Sequence, residues 1–196
     1  MRSIRAHLSA SASYNGRETQ MNTDPCKSVS EKAVASLVDE FKRNLEAVDG
    51  HCLVVHSEAE LAKVLKPITD GKKVATSEAP PPTKDLFNFD VGITRAQAGI
   101  AETGTLVLDS SVEQNRLVSL VPPVHIAILD AARIYATLGE TLAMLQSGNE
   151  ISPAITFITG PSRTADIELT LAIGVHGPQA LYVIIMQDQN VVDPNN

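Results

Sequence analysis

The chain of 196 residues contains no tryptophan, and phenylalanine and tyrosine bring its aromatic content to only 4 %. A base-stacking surface for nucleic acid is therefore not indicated, because such surfaces depend on aromatic side chains. Lysine and arginine form no block, and the formal net charge is −7. Binding to a phosphate backbone needs a basic footprint, so we expect no nucleic-acid partner.

Cysteine is scarce as well, since only Cys26 and Cys52 are present and they form no CxxC pair. We therefore expect no disulfide framework and no metal or iron–sulfur centre in this chain; any other cofactor is unknown. No apolar run is long enough to span a bilayer, and the first residues lack the apolar segment of a secretory signal. These features predict a cytoplasmic protein without a membrane span.

The familiar glycine and nucleophile motifs are missing too. The sequence has no GxGxxG, no GK[ST] and no GxSxG, so neither a nicotinamide fingerprint, nor a phosphate-binding P-loop, nor a serine nucleophile elbow is predicted. No HExxH spacing supports a zinc site. His125 and His176 are the histidines of interest; they either help to bind a metal or serve as hydrogen-bonded structural residues, and the second reading is favoured.

An apolar content of 43 % and a charged content of 20 % are typical of a soluble globular α/β domain. We predict a loosely ordered extension over 1–28, a single α/β domain over 29–187 and a polar tail over 188–196. Apolar spacing predicts helices over 31–48, 57–65, 95–103, 130–147 and 165–173. Short apolar runs predict strands over 51–56, 72–76, 89–94, 105–108, 117–121, 125–129, 154–158 and 181–186.

The first strand, helix and strand form a βαβ unit, so these strands should run parallel. The later strands follow one another too closely for a helix between each pair, which indicates a mixed second half of the sheet. The predicted fold is a Rossmann-like α/β fold with a mixed sheet.

The stretch from Ile158 to Glu168 is the most informative one. Gly160 and Pro161 end an apolar strand, and Ser162 or Thr164 is placed to cap a helix that starts near Ala165. Free N–H groups at a helix start, with Arg163, favour an anion there. An ordinary strand-to-helix connection has the same pattern, and the alternatives stay open.

Glu102 is the second candidate, since it lies between small residues just before an apolar strand. A partly buried carboxylate would have a raised pKa, which suits a general base or nucleophile. The competing reading, in which Glu102 is a surface turn residue or caps a neighbouring helix, is favoured by the sequence alone.

Five segments carry a family resemblance. Ile-Ala-Glu-Thr-Gly-Thr at 100–105, Arg-Leu-Val-Ser-Leu-Val-Pro at 116–122, His-Ile at 125–126, Ile-Thr-Gly-Pro-Ser-Arg-Thr-Ala-Asp-Ile-Glu at 158–168 and Gly-Val-His-Gly-Pro at 174–178 resemble the LUD-domain family, in its lactate utilisation protein C branch. The resemblance covers roughly 30–187. It implies a fold similar to the CoA-transferase, ribose-5-phosphate isomerase and glucosamine-phosphate isomerase group.

The resemblance also implies a part in oxidising L-lactate to pyruvate, alongside iron–sulfur protein partners, with a small anionic metabolite or cofactor as ligand. The alternative is a stand-alone enzyme of the fold group that uses Glu102 as its catalytic residue. The candidate ligand-binding residues lie in the quoted segments: Thr103, Gly104, Thr105, Arg116, Thr159, Gly160, Pro161, Ser162, Arg163, Thr164, Asp166, His176 and Gly177.

Overall fold

The computed structural model describes residues 31–111, 115–147, 152–165, 171–173 and 177–187. The predicted extension over 1–28 and the tail over 188–196 lie outside the described residues, and the boundaries of the domain stay a prediction. The helices are α1 (Glu31–Glu46), α2 (Glu58–Thr69) and α3 (Leu138–Gln146). Strands β1 to β7 span His51–Val55, Val74–Thr76, Val91–Arg95, Ala98–Ile100, Thr105–Asp109, Val124–Asp130 and Ile134–Tyr135. Strands β8 to β11 span Ile155–Ile158, Arg163–Ala165, Leu171–Ile173 and Ala180–Met186.

A five-stranded sheet in the order β1-β11-β6-β3-β2 forms the centre of the fold, and every neighbouring pair in it is parallel. Its strands read as nearly continuous apolar runs because both faces of the sheet are covered. The predicted βαβ unit is confirmed in direction, since β1 and β2 run parallel. They lie at opposite edges of the sheet, so the connection through α2 crosses its full width.

Each face of the central sheet packs against different elements. Val55, Ile126 and Ile184 form a buried cluster with Leu61 and Leu65 of α2. On the opposite face, side chains at alternate positions pack against α1 and the second sheet: Cys52, Ala127, Leu129, Leu181, Val183 and Ile185 join Phe41, Leu45, Leu106 and Leu108. This alternation follows from the two-residue period of a strand.

A second sheet in the order β7-β4-β5-β8 is mixed, with β4–β5 and β5–β8 antiparallel and β4–β7 parallel. Its outer face buries Ala98, Ile100 and Val107 against Met144 and Leu145 of α3. The prediction of an α/β fold with a Rossmann-like sheet and a mixed second half is confirmed by this architecture. No helix in the described ranges is long and apolar enough to cross a membrane.

Several predicted helices are wrong. Over 95–103 the chain forms β4 and one 3₁₀ turn (Ala101–Thr103), because Ala98, Gly99 and Ile100 are all buried between two apolar layers and cannot form an amphipathic helix. The predicted helix over 130–147 begins only at Leu138. Asp130 caps a short turn by accepting a hydrogen bond from the Ala132 N–H, and β7 intervenes.

The predicted helix over 165–173 is also wrong in the part that the structure describes. Arg163–Ala165 and Leu171–Ile173 pair as antiparallel strands β9 and β10. The predicted strand over 117–121 is instead a 3₁₀ helix, Arg116–Ser119, which starts where the Asn115 side chain accepts a hydrogen bond from the Leu117 N–H. Helix α2 continues past Leu65 to Thr69 with Pro67 inside it.

Candidate functional site

Two of the motif segments contact each other beside β8, the edge strand of the second sheet. The Ser162 N–H donates a hydrogen bond of 2.8 Å to the carbonyl oxygen of Pro178. A Cβ at Gly177 would lie 3.1 Å from the Cβ of Ser162, which is tighter than ordinary packing. Glycine at 177 therefore lets the loop before β11 approach the loop after β8.

A cavity of about 220 Å³, which we call the motif cavity, lies where these loops meet the amino ends of β6 and β11. Its wall contains four of the candidate residues predicted from the sequence, Thr159, Gly160, Ser162 and Gly177. The remaining described lining residues are Ser119, Leu120, His125, Thr156, Phe157, Ile158, Pro178 and Leu181. The wall thus combines five apolar side chains and four hydroxyl-bearing ones with two glycines and His125.

A chain of hydroxyl groups connects the Glu102 segment to this cavity. The Thr103 and Thr105 hydroxyls share a hydrogen bond of 2.7 Å, and the Thr105 and Thr159 hydroxyls share one of 2.9 Å. Thr105 is buried, whereas Thr103 and Thr159 are exposed. The structure therefore brings residues 103–105 into contact with the 159–162 loop, although neither Thr103 nor Thr105 lines the cavity itself.

His125 lies fully buried at the inner wall of the motif cavity. Its Nε2 shares a hydrogen bond of 2.9 Å with the Thr94 hydroxyl, whereas Nδ1 has no hydrogen-bond partner among the described residues. Burial lowers the pKa of His125 from 6.5 to about 3, so the ring is neutral at physiological pH. A buried polar atom without a partner costs about 1–3 kcal/mol, which makes Nδ1 an atom that needs an explanation.

Arg163 does not face the motif cavity. Its guanidinium forms an exposed ion pair with the carboxylate of Asp49, which lies in the turn after α1 and has a positive φ of 62°. No helix starts at Ala165, because Arg163–Ala165 pairs with β10, and the Ser162 N–H donates its hydrogen bond to Pro178. The anion site at Gly160–Thr164 stays a prediction, without the helix start that motivated it.

The other sequence candidates are scattered. Arg116 is exposed on its 3₁₀ helix, and Pro161 is half-buried without lining the cavity. Thr164 takes part in the β9–β10 pairing through its backbone. Asp166 and His176 lie outside the described residues. Within those residues no group of three or more metal-binding side chains occurs.

Glu102 caps a neighbouring helix, which was the alternative to a catalytic role. It is exposed rather than partly buried, and its Oε1 accepts a hydrogen bond of 2.8 Å from the backbone N–H of Leu138, the first residue of α3. This placement matches the reading that the sequence alone favoured, in which Glu102 caps a neighbouring helix. A carboxylate bound to the first turn of a helix satisfies a free N–H and complements the helix dipole.

Gly104 has a structural reason for being glycine. Its φ is 64°, and a Cβ there would lie 2.3 Å from the backbone nitrogen of Leu45 in α1. The chain thus needs both a left-handed conformation and the absence of a side chain at this point.

A second cavity, of about 300 Å³, lies at the carboxyl ends of the central parallel strands β3, β6 and β11. We call it the arginine cavity, because Arg95 and Arg133 both line it; its other lining residues are Glu58, Ala96, Ile128, Asp130 and Met186. The carboxyl edge of a parallel sheet is where ligands of α/β proteins bind. None of these residues was predicted from the sequence, although polar residues, Arg95 and Asp130, end the apolar strands β3 and β6 and indicate a site there.

The charges around the arginine cavity are of both signs. The Arg95 Nε lies 3.0 Å from the Glu78 carboxylate, and Asp130 accepts a hydrogen bond of 2.9 Å from the Ala132 N–H. Arg133 is exposed and makes no ion pair within the described part of the chain. A ligand here meets guanidinium donors and carboxylate acceptors in one space.

Comparison with known proteins decides the family. The family model of the LUD domain matches residues 82–186, which is more than half of the chain. The chain belongs to the LUD domain family. A lactate utilization protein C of Bacillus subtilis (strain 168) is 40 % identical over 107 residues, which are 52 % of this chain and 45 % of that protein. Its counterpart in Bacillus licheniformis is 38 % identical over 104 residues, 51 % of this chain and 43 % of that one.

Two further relatives extend the comparison. An uncharacterized protein of Neisseria meningitidis serogroup B is 43 % identical over 114 residues, 56 % of this chain and 47 % of that protein. The matched segment thus spans less than half the length of these curated relatives. A crystal structure of a DUF162 family protein from Deinococcus radiodurans superposes with a TM-score of 0.63 and 22 % identity, over 79 % of this chain and 98 % of that one, so it supports the fold of this LUD protein.

Proposed function

We propose that this LUD protein is a component of a lactate-utilisation system and that it binds a small 2-hydroxy or 2-oxo acid in the arginine cavity. The observation that carries this proposal is the presence of two guanidinium groups, Arg95 and Arg133, at the carboxyl edge of the central sheet. The names of the curated relatives supply the lactate-utilisation context.

The chemistry of the arginine cavity suits such an acid. An arginine fork binds a carboxylate through two parallel hydrogen bonds. The carboxylates of Asp130 and Glu58 accept hydrogen bonds but donate none, so they favour a ligand that has a hydroxyl group beside its own carboxylate. L-Lactate has that hydroxyl and pyruvate lacks it. We therefore expect L-lactate to bind more tightly than pyruvate.

The motif cavity suits the anion less well, although the sequence analysis placed it there. Among its described lining residues no side chain is cationic, because His125 is neutral and Arg163 is paired with Asp49. An ionised carboxylate in that cavity would lose its hydration without gaining a counter-charge.

Calorimetric titration with L-lactate and pyruvate tests the proposal. Arg133→Gln keeps a polar side chain but removes the guanidinium and its charge, and should cost about 1–3 kcal/mol of L-lactate binding. Arg43→Gln is the matched control, since Arg43 is an exposed arginine of α1 that lines neither cavity. Equal losses in both variants, or no heat of binding in the wild type, would refute the site.

The proposed partners are iron–sulfur proteins that take up the electrons of lactate oxidation. This chain has only two cysteines, too few to hold a four-cysteine cluster by itself. Co-purification of the full chain with such proteins, and lactate-dependent reduction of their clusters only in its presence, would support the proposal. The alternative, a stand-alone enzyme that uses Glu102, would be supported instead if the isolated chain turned over a CoA ester or a sugar phosphate.

A further inference from the structure

The motif cavity differs from the arginine cavity in its charge. Apart from two glycines and the neutral His125, its described lining residues have hydroxyl groups or apolar side chains, and none is ionised at neutral pH. Leu120, Phe157 and Leu181 supply the apolar part, and Phe157 is 43 % exposed. The hydroxyls of Thr159 and Ser162 supply the polar part. Such a wall matches an uncharged molecule with one apolar side and one polar side.

The unpartnered Nδ1 of His125 is a second, independent sign of a ligand. This ring is held on one side by its Nε2 bond to Thr94, so the orientation of Nδ1 is fixed. Leu181 of β11 and Gly92 of β3 are its register partners, and Gly92 provides no side chain that could reach Nδ1. Nothing else in the described part of the chain supplies a hydrogen bond to this atom.

We propose that the motif cavity is a second binding site, which takes a small uncharged molecule with a hydroxyl or primary amide group, and that this group hydrogen-bonds to Nδ1 of His125. The surrounding residues seal Nδ1 from solvent, so the ligand reaches it when the loops at 159–162 and 177–178 shift outward. Ligand binding gives Nδ1 a hydrogen-bond partner, and the free energy gained in this way offsets the cost of moving the loops.

Three properties exclude a carboxylate as the ligand of this site. The cavity has no counter-charge among its described lining residues, the ring of His125 stays neutral, and Arg163 is held outside by Asp49. A hydroxyl or amide group needs no counter-charge. It can also complement either tautomer of His125, because hydroxyls and amides both donate and accept hydrogen bonds.

The test uses a charged and an uncharged probe of nearly equal shape. The full chain, labelled with ¹⁵N, is titrated with L-lactamide, acetamide or 1,2-propanediol, and separately with L-lactate, while the imidazole nitrogens of its histidines are followed by NMR. The uncharged probes should shift the Nδ1 signal of His125 in a saturable manner. The signals of His51, stacked on Tyr182, and of exposed His56 should stay in place as internal references.

Variants separate this site from the arginine cavity. Ser162→Ala should weaken the binding of the uncharged probe by up to about tenfold and leave L-lactate binding unchanged. Arg133→Gln should do the reverse. His125→Gln removes the nitrogen that is followed by NMR, so its binding of the uncharged probes is measured by calorimetry and should be abolished. Ser162→Ala keeps His125 and covers the case in which the His125 variant fails to fold.

The outcomes are distinguishable. If none of the uncharged probes shifts Nδ1 at millimolar concentrations, the proposal is overturned and an ordered water is the partner of this atom. If L-lactate shifts Nδ1 as strongly as L-lactamide does, the site accepts carboxylates and the proposal is overturned as well. Loss of lactate binding in Arg133→Gln with intact lactamide binding would support both sites at once.

Discussion

The carboxylate of Glu102 accepts a hydrogen bond of 2.8 Å from the backbone N–H of Leu138, and so joins the turn before β5 to the start of α3. Thr137 supplies the N-cap of the same helix through its hydroxyl, which accepts a hydrogen bond from the Glu140 N–H. Glu102 thus accepts a hydrogen bond from a backbone N–H of α3 that the Thr137 hydroxyl does not bind. The two residues are separated by 36 positions in the chain, so this contact is part of the tertiary structure.

We expect Glu102→Ala to lower the free energy of unfolding by about 1 kcal/mol, as the loss of a helix cap does. Urea denaturation measures this change. Asp39→Ala, at an exposed position in α1, is the control and should change stability by less than about 0.5 kcal/mol. A Glu102→Ala protein of unchanged stability that had lost a measured activity would instead assign the carboxylate to catalysis.

Gly104→Ala should be one of the most damaging single substitutions in the chain. The left-handed φ of 64° costs about 1–2 kcal/mol for a residue with a Cβ. That Cβ would also lie 2.3 Å from the Leu45 nitrogen, a backbone atom that moves only with α1, which adds about 1–3 kcal/mol. We expect a total loss of about 3 kcal/mol in urea denaturation.

Gly71→Ala is the matched control for this substitution. Gly71 has a similar φ of 70°, but no atom lies within 4 Å of its would-be Cβ. Gly71→Ala should therefore lower the free energy of unfolding only by the cost of the left-handed conformation, about 1–2 kcal/mol. Equal losses at both positions would show that the contact with α1 has no energetic weight.

The central sheet is predictable from the sequence because its strands are buried on both faces. Runs such as Leu181–Met186 are apolar throughout and short, and local composition alone identifies them. The order β1-β11-β6-β3-β2 depends on contacts between segments that are far apart in the chain. No local pattern predicts that order.

The candidate site, like the central sheet, is predictable from the sequence only where local composition determines the structure. The loops that end or begin a strand were identified as such, and four of their residues line the motif cavity. The helix over 165–173 was predicted because Gly-Pro-Ser-Arg-Thr is also a normal helix start, whereas the pairing of β9 with β10 decides the conformation. Arg95 and Arg133 were missed because only the sheet order brings the ends of β3 and β6 together.

Arg163→Ala should have little effect on stability or ligand binding. The side chains of Arg163 and Asp49 are 37 % and 79 % exposed, and ion pairs at such positions contribute about 0–1 kcal/mol. Asp49→Asn should have the same small effect, and the double variant should be no worse than either single one. Thermal unfolding at low and high salt measures the pair. A binding loss of tenfold or more in Arg163→Ala alone would place its guanidinium at a ligand.

Because His125 is buried, we expect the free energy of unfolding to depend on pH. Its pKa is about 3 in the folded protein and 6.5 in the unfolded chain, because burial penalises the charged ring. Between these values the unfolded chain holds one proton more than the folded protein at this site. The contribution of His125 to stability is therefore complete above pH 6.5 and is lost as the pH falls towards 3, by up to about 1.4 kcal/mol per pH unit.

Urea denaturation of the wild type and His125→Gln across this pH range measures the effect, because the carboxylates contribute nearly equally to both proteins. The free energy of unfolding should fall more steeply with decreasing pH in the wild type than in the variant. NMR titration of the His125 nitrogens in the folded wild type checks the same point without a substitution: its ring should stay neutral as the pH falls well below 6.5. Parallel curves for the two proteins, together with protonation of His125 near pH 6.5, would show that the wall around this ring admits water and a proton freely.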